Sequence, residues 1–160
     1  MKRIDLFVVA ACLIILGLIF CECISASNNI GNIFLAVGHV DNVEISAGRI
    51  RHSTRSIQIE MDDTIFNLSY HNSGRKFENI EVLFDAIRSE LTPDNVAQIT
   101  YVQEQKGNAL VVGLICNDRE IVDFDSAYST YKRDVIIGAF ASLVLLTAGL
   151  GVLIYALLRI

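Results

Sequence analysis

The stretch Val135 to Leu158, VIIGAFASLVLLTAGLGVLIYALL, runs 24 residues without a charge, between Lys132-Arg133-Asp134 and Arg159. At roughly 1.5 Å of rise per residue a helix of this length reaches about 36 Å, enough to cross a hydrocarbon core of about 30 Å with some tilt. Lipid offers the backbone no hydrogen-bond partner, so a crossing segment must be helical. A core helix of a soluble protein would show a polar face, whereas only Ser142, Thr147 and Tyr155 interrupt this one. It reads as a C-terminal transmembrane helix, residues 135–158.

At the other end, Met1-Lys2-Arg3-Ile4-Asp5 precedes an uncharged apolar run, Leu6 to Cys21. Sixteen residues span only about 24 Å, so a crossing requires Glu22 at the interface and extension through Cys23 to Ala26. The same pattern, with Ser25-Ala26-Ser27 at its end, also fits a signal peptide. The length of the run, and Ile24 as a poor residue three before a cut after Ala26, favour a retained helix over residues 1–26. Lys2, Arg3 and Arg159 against Lys132 and Arg133 tilt the positive-inside bias toward cytoplasmic termini. The expectation is an integral protein of the plasma (inner) membrane with its soluble domain on the outer, periplasmic side.

Between the spans lies one small domain. Of the chain's 13 Lys/Arg and 18 Asp/Glu, only Lys2, Arg3, Arg159, Asp5 and Glu22 fall outside residues 27–134, leaving 10 basic against 16 acidic. An acidic balance without a basic stripe argues against nucleic acid, whose phosphates need clustered Lys and Arg. It argues equally against docking on anionic lipid.

Residues 27–32 are a turn-rich linker, and a β domain is expected over 33–122. A first strand opens at Gly38-His39-Val40 and continues through Val43, Ile45 and Ala47, which alternate with polar residues until Gly48 allows a bend before 49–51. After a polar turn at His52-Ser53-Thr54, Ile57, Ile59 and Met61 alternate next. Asp62-Asp63 is a tight connection, and Phe66, Leu68 and Tyr70 complete a three-stranded meander. His71-Asn72-Ser73-Gly74 breaks the sheet. Ile80, Leu83, Phe84, Ile87 and Leu91 then recur at helical spacing, with Asn79 as cap and Thr92-Pro93-Asp94-Asn95 as stop. Ala97, Ile99 and Tyr101 alternate with Gln98, Thr100 and Val102 in another strand, Lys106-Gly107-Asn108 is a turn, and the continuously apolar Ala109–Cys116 reads as a strand buried on both faces. Asn117-Asp118 turns into a short strand, 119–122. Asp123 caps a membrane-proximal helix, 123–134, running into the span. The order β-β-β-α-β-β, with a sixth short strand, predicts an α+β fold: a small OB- or SH3-like barrel, or a twisted sheet, between two transmembrane helices.

Gly38-His39-Val40, Leu91-Thr92-Pro93-Asp94 and Gly113-Leu114-Ile115-Cys116-Asn117-Asp118-Arg119-Glu120-Ile121 resemble patterns in a loose group of uncharacterised bacterial membrane proteins with a small β domain beside one or two spans. The resemblance covers about two-thirds of the chain. It implies no activity and transfers no functional residue.

No catalytic, cofactor-binding or metal-binding constellation is expected. His39, His52 and His71 have no second ligand at helical or hairpin spacing. Asp62-Asp63 suits a turn better than a carboxylate pair, and Asp118, Asp123 and Asp125 suit turns and caps better than a cation site. Cys116 ends the most apolar strand and reads as a buried thiol. Cys21 and Cys23 lack a lipobox, with Phe20 where a small residue belongs, and the Asn67-Leu68-Ser69 sequon falls mid-strand. The residues singled out are Gly138 and Ser142, then Thr147 and Gly151, at the small-x-x-x-small spacing that permits close helix approach. Their partner is the first helix at Ala10-Ala11 and Gly17, a second copy, or another membrane protein. The expected function is a non-enzymatic, membrane-anchored module whose β domain binds a protein partner, possible partners including the lipid bilayer and the same chain as a homo-oligomer. The competing expectation is an immunity protein neutralising an envelope-targeting toxin.

Overall fold

A computed structural model describes residues 3–27, 30–46, 56–69, 80–93, 95–103 and 108–158. The chain divides into two units, residues 1–28 with 133–160, and residues 29–132.

The first unit is helical. Helix α1 (Arg3–Ile19) is followed after Phe20 by α2 (Cys21–Ser27), and together Ile4–Ser27 supply 24 residues long and apolar enough to cross a membrane. Helix α4 (Phe124–Leu158) is unbroken over 35 residues and contains the second such stretch. Only 11% of an 18-residue apolar window in the first stretch and 22% of one in the second is buried, whereas a soluble core helix is mostly buried. Side chains such as Leu16, Ile19, Phe140, Leu143 and Leu150 face outward. Apolar side chains facing outward along a helix suit lipid as their solvent.

The second unit is a seven-stranded mixed sheet: β1 (Ile33–His39), β2 (Asn42–Ser46), β3 (Ser56–Met61), β4 (Thr64–Ser69), β5 (Val96–Gln103), β6 (Ala109–Cys116) and β7 (Arg119–Val122), with helix α3 (Ile80–Glu90) between β4 and β5. The strand order is β1-β5-β6-β4-β3-β2, with β7 on β6. The meander β2-β3-β4 has the antiparallel pairing its alternation predicts. Its inward residues Ile57, Ile59, Met61, Phe66 and Leu68 are buried, as are Leu83, Phe84 and Ile87 of α3 and Leu91 just beyond it. Every residue of β6 except Ile115 is buried, matching the unbroken apolar run.

Both two-residue hairpins turn on a pair of left-handed residues: Asp62 and Asp63 at φ 50° and 59°, Asn117 and Asp118 at φ 48° and 62°. Positive φ at both central positions is the I′ geometry whose twist matches paired strands, and Asn and Asp tolerate it best after glycine. The Asp41 carboxylate fastens the first turn, accepting a hydrogen bond from the Asp62 N–H at 2.8 Å.

Three expectations need correction. The sheet is not a closed barrel: among the described residues no ladder joins β1 to β2, the two edges. Those strands are consecutive, and the chain passes directly from one neighbour to the other, Val40 N–H donating to Asn95 O and Asp41 N–H to Glu60 O. Pairing β1 with β2 would require a reversal that Val40-Asp41 does not make. Second, Ile33–His39 is a strand of its own, so Gly38 and His39 close a strand rather than open one. Third, a register shift between Thr100 and Tyr101 takes Val102 out of the polar alternation and buries it. The meander is joined to the rest of the sheet by a short parallel ladder, Phe66 with Ala109 and Asn67 with Leu110. The Gly48 bend, the 49–51 segment, the His52-Ser53-Thr54 turn, Tyr70, the 71–74 break, the Asn79 cap and the Lys106-Gly107 turn lie outside the described residues.

Candidate functional site

The sheet's free edge at β2 and the C-terminal end of α3 border a groove of about 420 Å³, lined by Val40, Asp41, Asn42, Val43, Ile45, Arg88, Leu91 and Pro93. Its walls follow from local structure. Among the described residues β2 pairs only with β3, along one side. Val43 and Ile45 pack partly on the core from that edge. Leu91 is buried where the helix stops, and the stop is well satisfied. The Glu90 carbonyl, left without an intrahelical partner, accepts from the Asn95 side-chain amide at 2.6 Å and from the Cys116 thiol at 3.1 Å. The Glu90 carboxylate pairs with Arg119. The groove therefore combines one strand's outward backbone edge with aliphatic side chains and two charges of opposite sign, Asp41 and Arg88.

The opposite edge, β1, is different in character. Ile33, Phe34, Leu35 and Val37 are 40%, 43%, 60% and 58% exposed. Phe34 stacks on Tyr101 at 5.5 Å between centroids, and Tyr101 meets Phe66 edge-on at 5.1 Å. The start of this strand is tied to α4 by a hydrogen bond from the Tyr128 hydroxyl to the Ile30 carbonyl.

In the helical unit the small residues divide. Gly138 lies so close to α2 that a Cβ there would come within 2.5 Å of Cys23 Sγ, and the Ser142 hydroxyl, fully buried, donates to the Gly17 carbonyl at 2.8 Å. A Cβ at Gly17 would strike Leu146, and one at Gly149 would strike Ile14. Contacts 23 with 138, 17 with 142 and 14 with 149 make the pair antiparallel. Ala10 and Ala156 are buried too, whereas Ala11 is exposed. Thr147 and Gly151 take no part in that contact: the Thr147 hydroxyl returns to the Leu143 and Val144 carbonyls of its own helix, and nothing lies within 4 Å of a Cβ at Gly151. Gly17 and Gly149 join Gly138 and Ser142 in carrying the close approach; at about 100° per residue Gly149 falls on the same face as Gly138 and Ser142, a signal that a search for four-residue spacing alone passes over.

Residues weighed for chemistry have structural work. Asp62, Asp63 and Asp118 form turns, and the Asp123 carboxylate accepts from the Ser126 N–H at 2.7 Å as the cap of α4. Asp125 is exposed in the first turn of that helix. Among the described residues no cluster of three His, Cys, Asp or Glu side chains is disposed to hold a metal. His39 ends β1, while His52 and His71 lie outside the described residues. Asn67 sits mid-strand in β4, its side-chain oxygen accepting from Gln58 at 3.2 Å.

Cys116 is fully buried, and burial, followed by the nearby Glu90 charge, holds its thiol above the ordinary range. The proton is bound more tightly in the folded chain, so the resulting stability is complete below the ordinary thiol pKa of about 8.5 and is lost as pH rises through the raised value. Thermal unfolding followed from pH 8 upward is expected to show an alkaline loss that Cys116→Ala reduces. An identical alkaline slope in the variant would count against this origin.

No family model, no curated protein and no solved structure matches the chain.

Proposed function

We propose that this chain is a non-enzymatic, membrane-anchored protein-binding module, an accessory or regulatory subunit of a membrane or envelope system. In this reading it is held in the plasma (inner) membrane by both spans, with the domain on the outer, periplasmic side. The groove between β2 and α3 is the observation that carries the reading. A strand edge beside a helix is the arrangement in which an extended segment adds to a sheet, main-chain hydrogen bonds supplying affinity and alternate side-chain pockets supplying specificity. Val43, Ile45, Leu91 and Pro93 suit aliphatic side chains at alternate positions of such a segment. The partner class is therefore a protein presenting an extended, largely apolar stretch. Turn and cap roles for the aspartates, and burial of Cys116, support the absence of catalysis.

The test is affinity purification of the full-length chain in mild detergent with mass spectrometry, beside Val43→Lys. A stoichiometric second protein is expected with the native chain, and at least a tenfold lower yield of it with the variant, whose circular dichroism should be unchanged. Equal recovery by both would remove the groove from the reading. Recovery of the chain alone, after cross-linking as well, would sink a stable complex with another protein.

A further inference from the structure

We propose that β1 is a self-recognition edge, and that two copies of this chain pair their Ile33–His39 strands antiparallel to make one continuous sheet across a two-fold axis. The inference is independent of the partner assigned to the groove, which lies at the other edge.

A free sheet edge is a template for another strand, and proteins that must stay apart blunt it with charge, proline or a bulge. β1 has none of these devices: its sequence is IFLAVGH, and no bulge interrupts its pairing with β5. Four of its large apolar side chains are exposed together on one short strand, Ile33, Phe34, Leu35 and Val37. Its neighbours across the β5 ladder, Val102, Tyr101, Thr100 and Gln98, are uncharged as well.

The occupant follows from charge and from symmetry. The chain carries a net charge of −5, so two copies repel one another on balance. This strand and its neighbour form an uncharged place where like molecules can meet. An antiparallel pair about a two-fold axis must also match its own sequence reversed. Centred on Leu35, the match is good: Ile33 faces Val37, Phe34 faces Ala36, and Leu35 faces itself. Large sits opposite small on one face, and the exposed Ile33, Leu35 and Val37 of both copies form one apolar ribbon on the other. Centred on Ala36, Leu35 would still face Val37, but Ile33 would face His39, which breaks the apolar ribbon. A single strand pair is at the small end of stable interfaces. Two copies anchored in the same bilayer meet at a raised effective concentration, which offsets that shortfall.

The register can be read by disulfide trapping of the full-length chain in zwitterionic phosphatidylcholine vesicles. Cys12, Cys21 and Cys23 are replaced by alanine, buried Cys116 is kept, and copper phenanthroline is the oxidant. Facing residues of an antiparallel pair have Cα atoms about 4.5–5.5 Å apart, inside the range a disulfide accepts. Leu35→Cys is therefore expected to give a covalent dimer at least fivefold faster than Ile33→Cys or Val37→Cys alone, whose own copies lie about 13 Å apart in this register. Mixed vesicles of Ile33→Cys with Val37→Cys should cross-link where neither does alone. Leu35→Lys should stay folded by circular dichroism and run as a monomer in detergent. The proposal is overturned by equal trapping rates along the strand, by a dimer that persists in Leu35→Lys, or by absence of any dimer. It is equally overturned if a photoactivatable lipid labels Leu35→Cys without dimer formation, which would give this edge to the bilayer.

Discussion

Phe66→Ala is expected to cost about 3–5 kcal/mol, the range for emptying a large buried aromatic site, against a typical domain stability of about 5–15 kcal/mol. The position explains the size. Phe66 is 2% exposed and belongs to the two-pair parallel ladder by which the β2-β3-β4 meander joins β6. It also receives the edge of Tyr101, which in turn carries Phe34. Removing the ring therefore opens a cavity at the seam, where few backbone hydrogen bonds hold the halves together. Denaturant titration of the full-length chain in detergent, followed by tyrosine signal, should show the lowered midpoint. Phe66→Leu, which fills much of the space, should lose roughly 1–2 kcal/mol. A change under 1 kcal/mol for the alanine variant would mean that the seam is not held by this ring.

Gly138→Leu should separate the two apolar helices, since even its Cβ would need the space of Cys23 Sγ. Overpacking of this kind costs about 1–3 kcal/mol, and the shift would draw Ser142 from the Gly17 carbonyl, a bond of the order of 0.6–2 kcal/mol in a membrane setting. Energy transfer between dyes at the two chain ends, followed through an SDS titration, should fall at a lower SDS fraction than in the native chain. Ser142→Ala should move it the same way by less. Gly151→Leu is the contrasting variant, because nothing stands within 4 Å of a Cβ there. Equal sensitivity at positions 138 and 151 would overturn the contact.

The parts of this fold that could be read from residues are those decided locally. Asp62-Asp63 and Asn117-Asp118 stand where short polar pairs separate apolar runs, and both adopt the left-handed turns that such pairs favour. The spacing of Leu83, Phe84 and Ile87 specified α3, and the unbroken apolar run of β6 specified burial on both faces. β1 escaped because its residues are apolar on both faces, the one that meets the core through Phe34 and Ala36 and the exposed one, so Ile33 to Val37 shows no polar alternation. The choice between a barrel and an open twisted sheet stayed undecided in the sequence because it depends on which distant strands pair. The bulge after Thr100 escaped because it is defined by β6 rather than by β5 alone. The groove was illegible for a similar reason: Ile45 and Arg88 are brought together only by the tertiary fold. In the spans, four-residue spacing marked Gly138 with Ser142 and Thr147 with Gly151 alike; about 100° per residue puts the two pairs on opposite sides of the helix, and only the position of the first helix says which side it meets.

The hydrogen bond from Tyr128 to Ile30 fastens the place where the chain comes into the sheet to the helix by which it leaves. A domain clasped at its own two ends behaves as an insert. The spacing at which the chain enters and leaves is therefore set inside the domain, by residues of that unit alone.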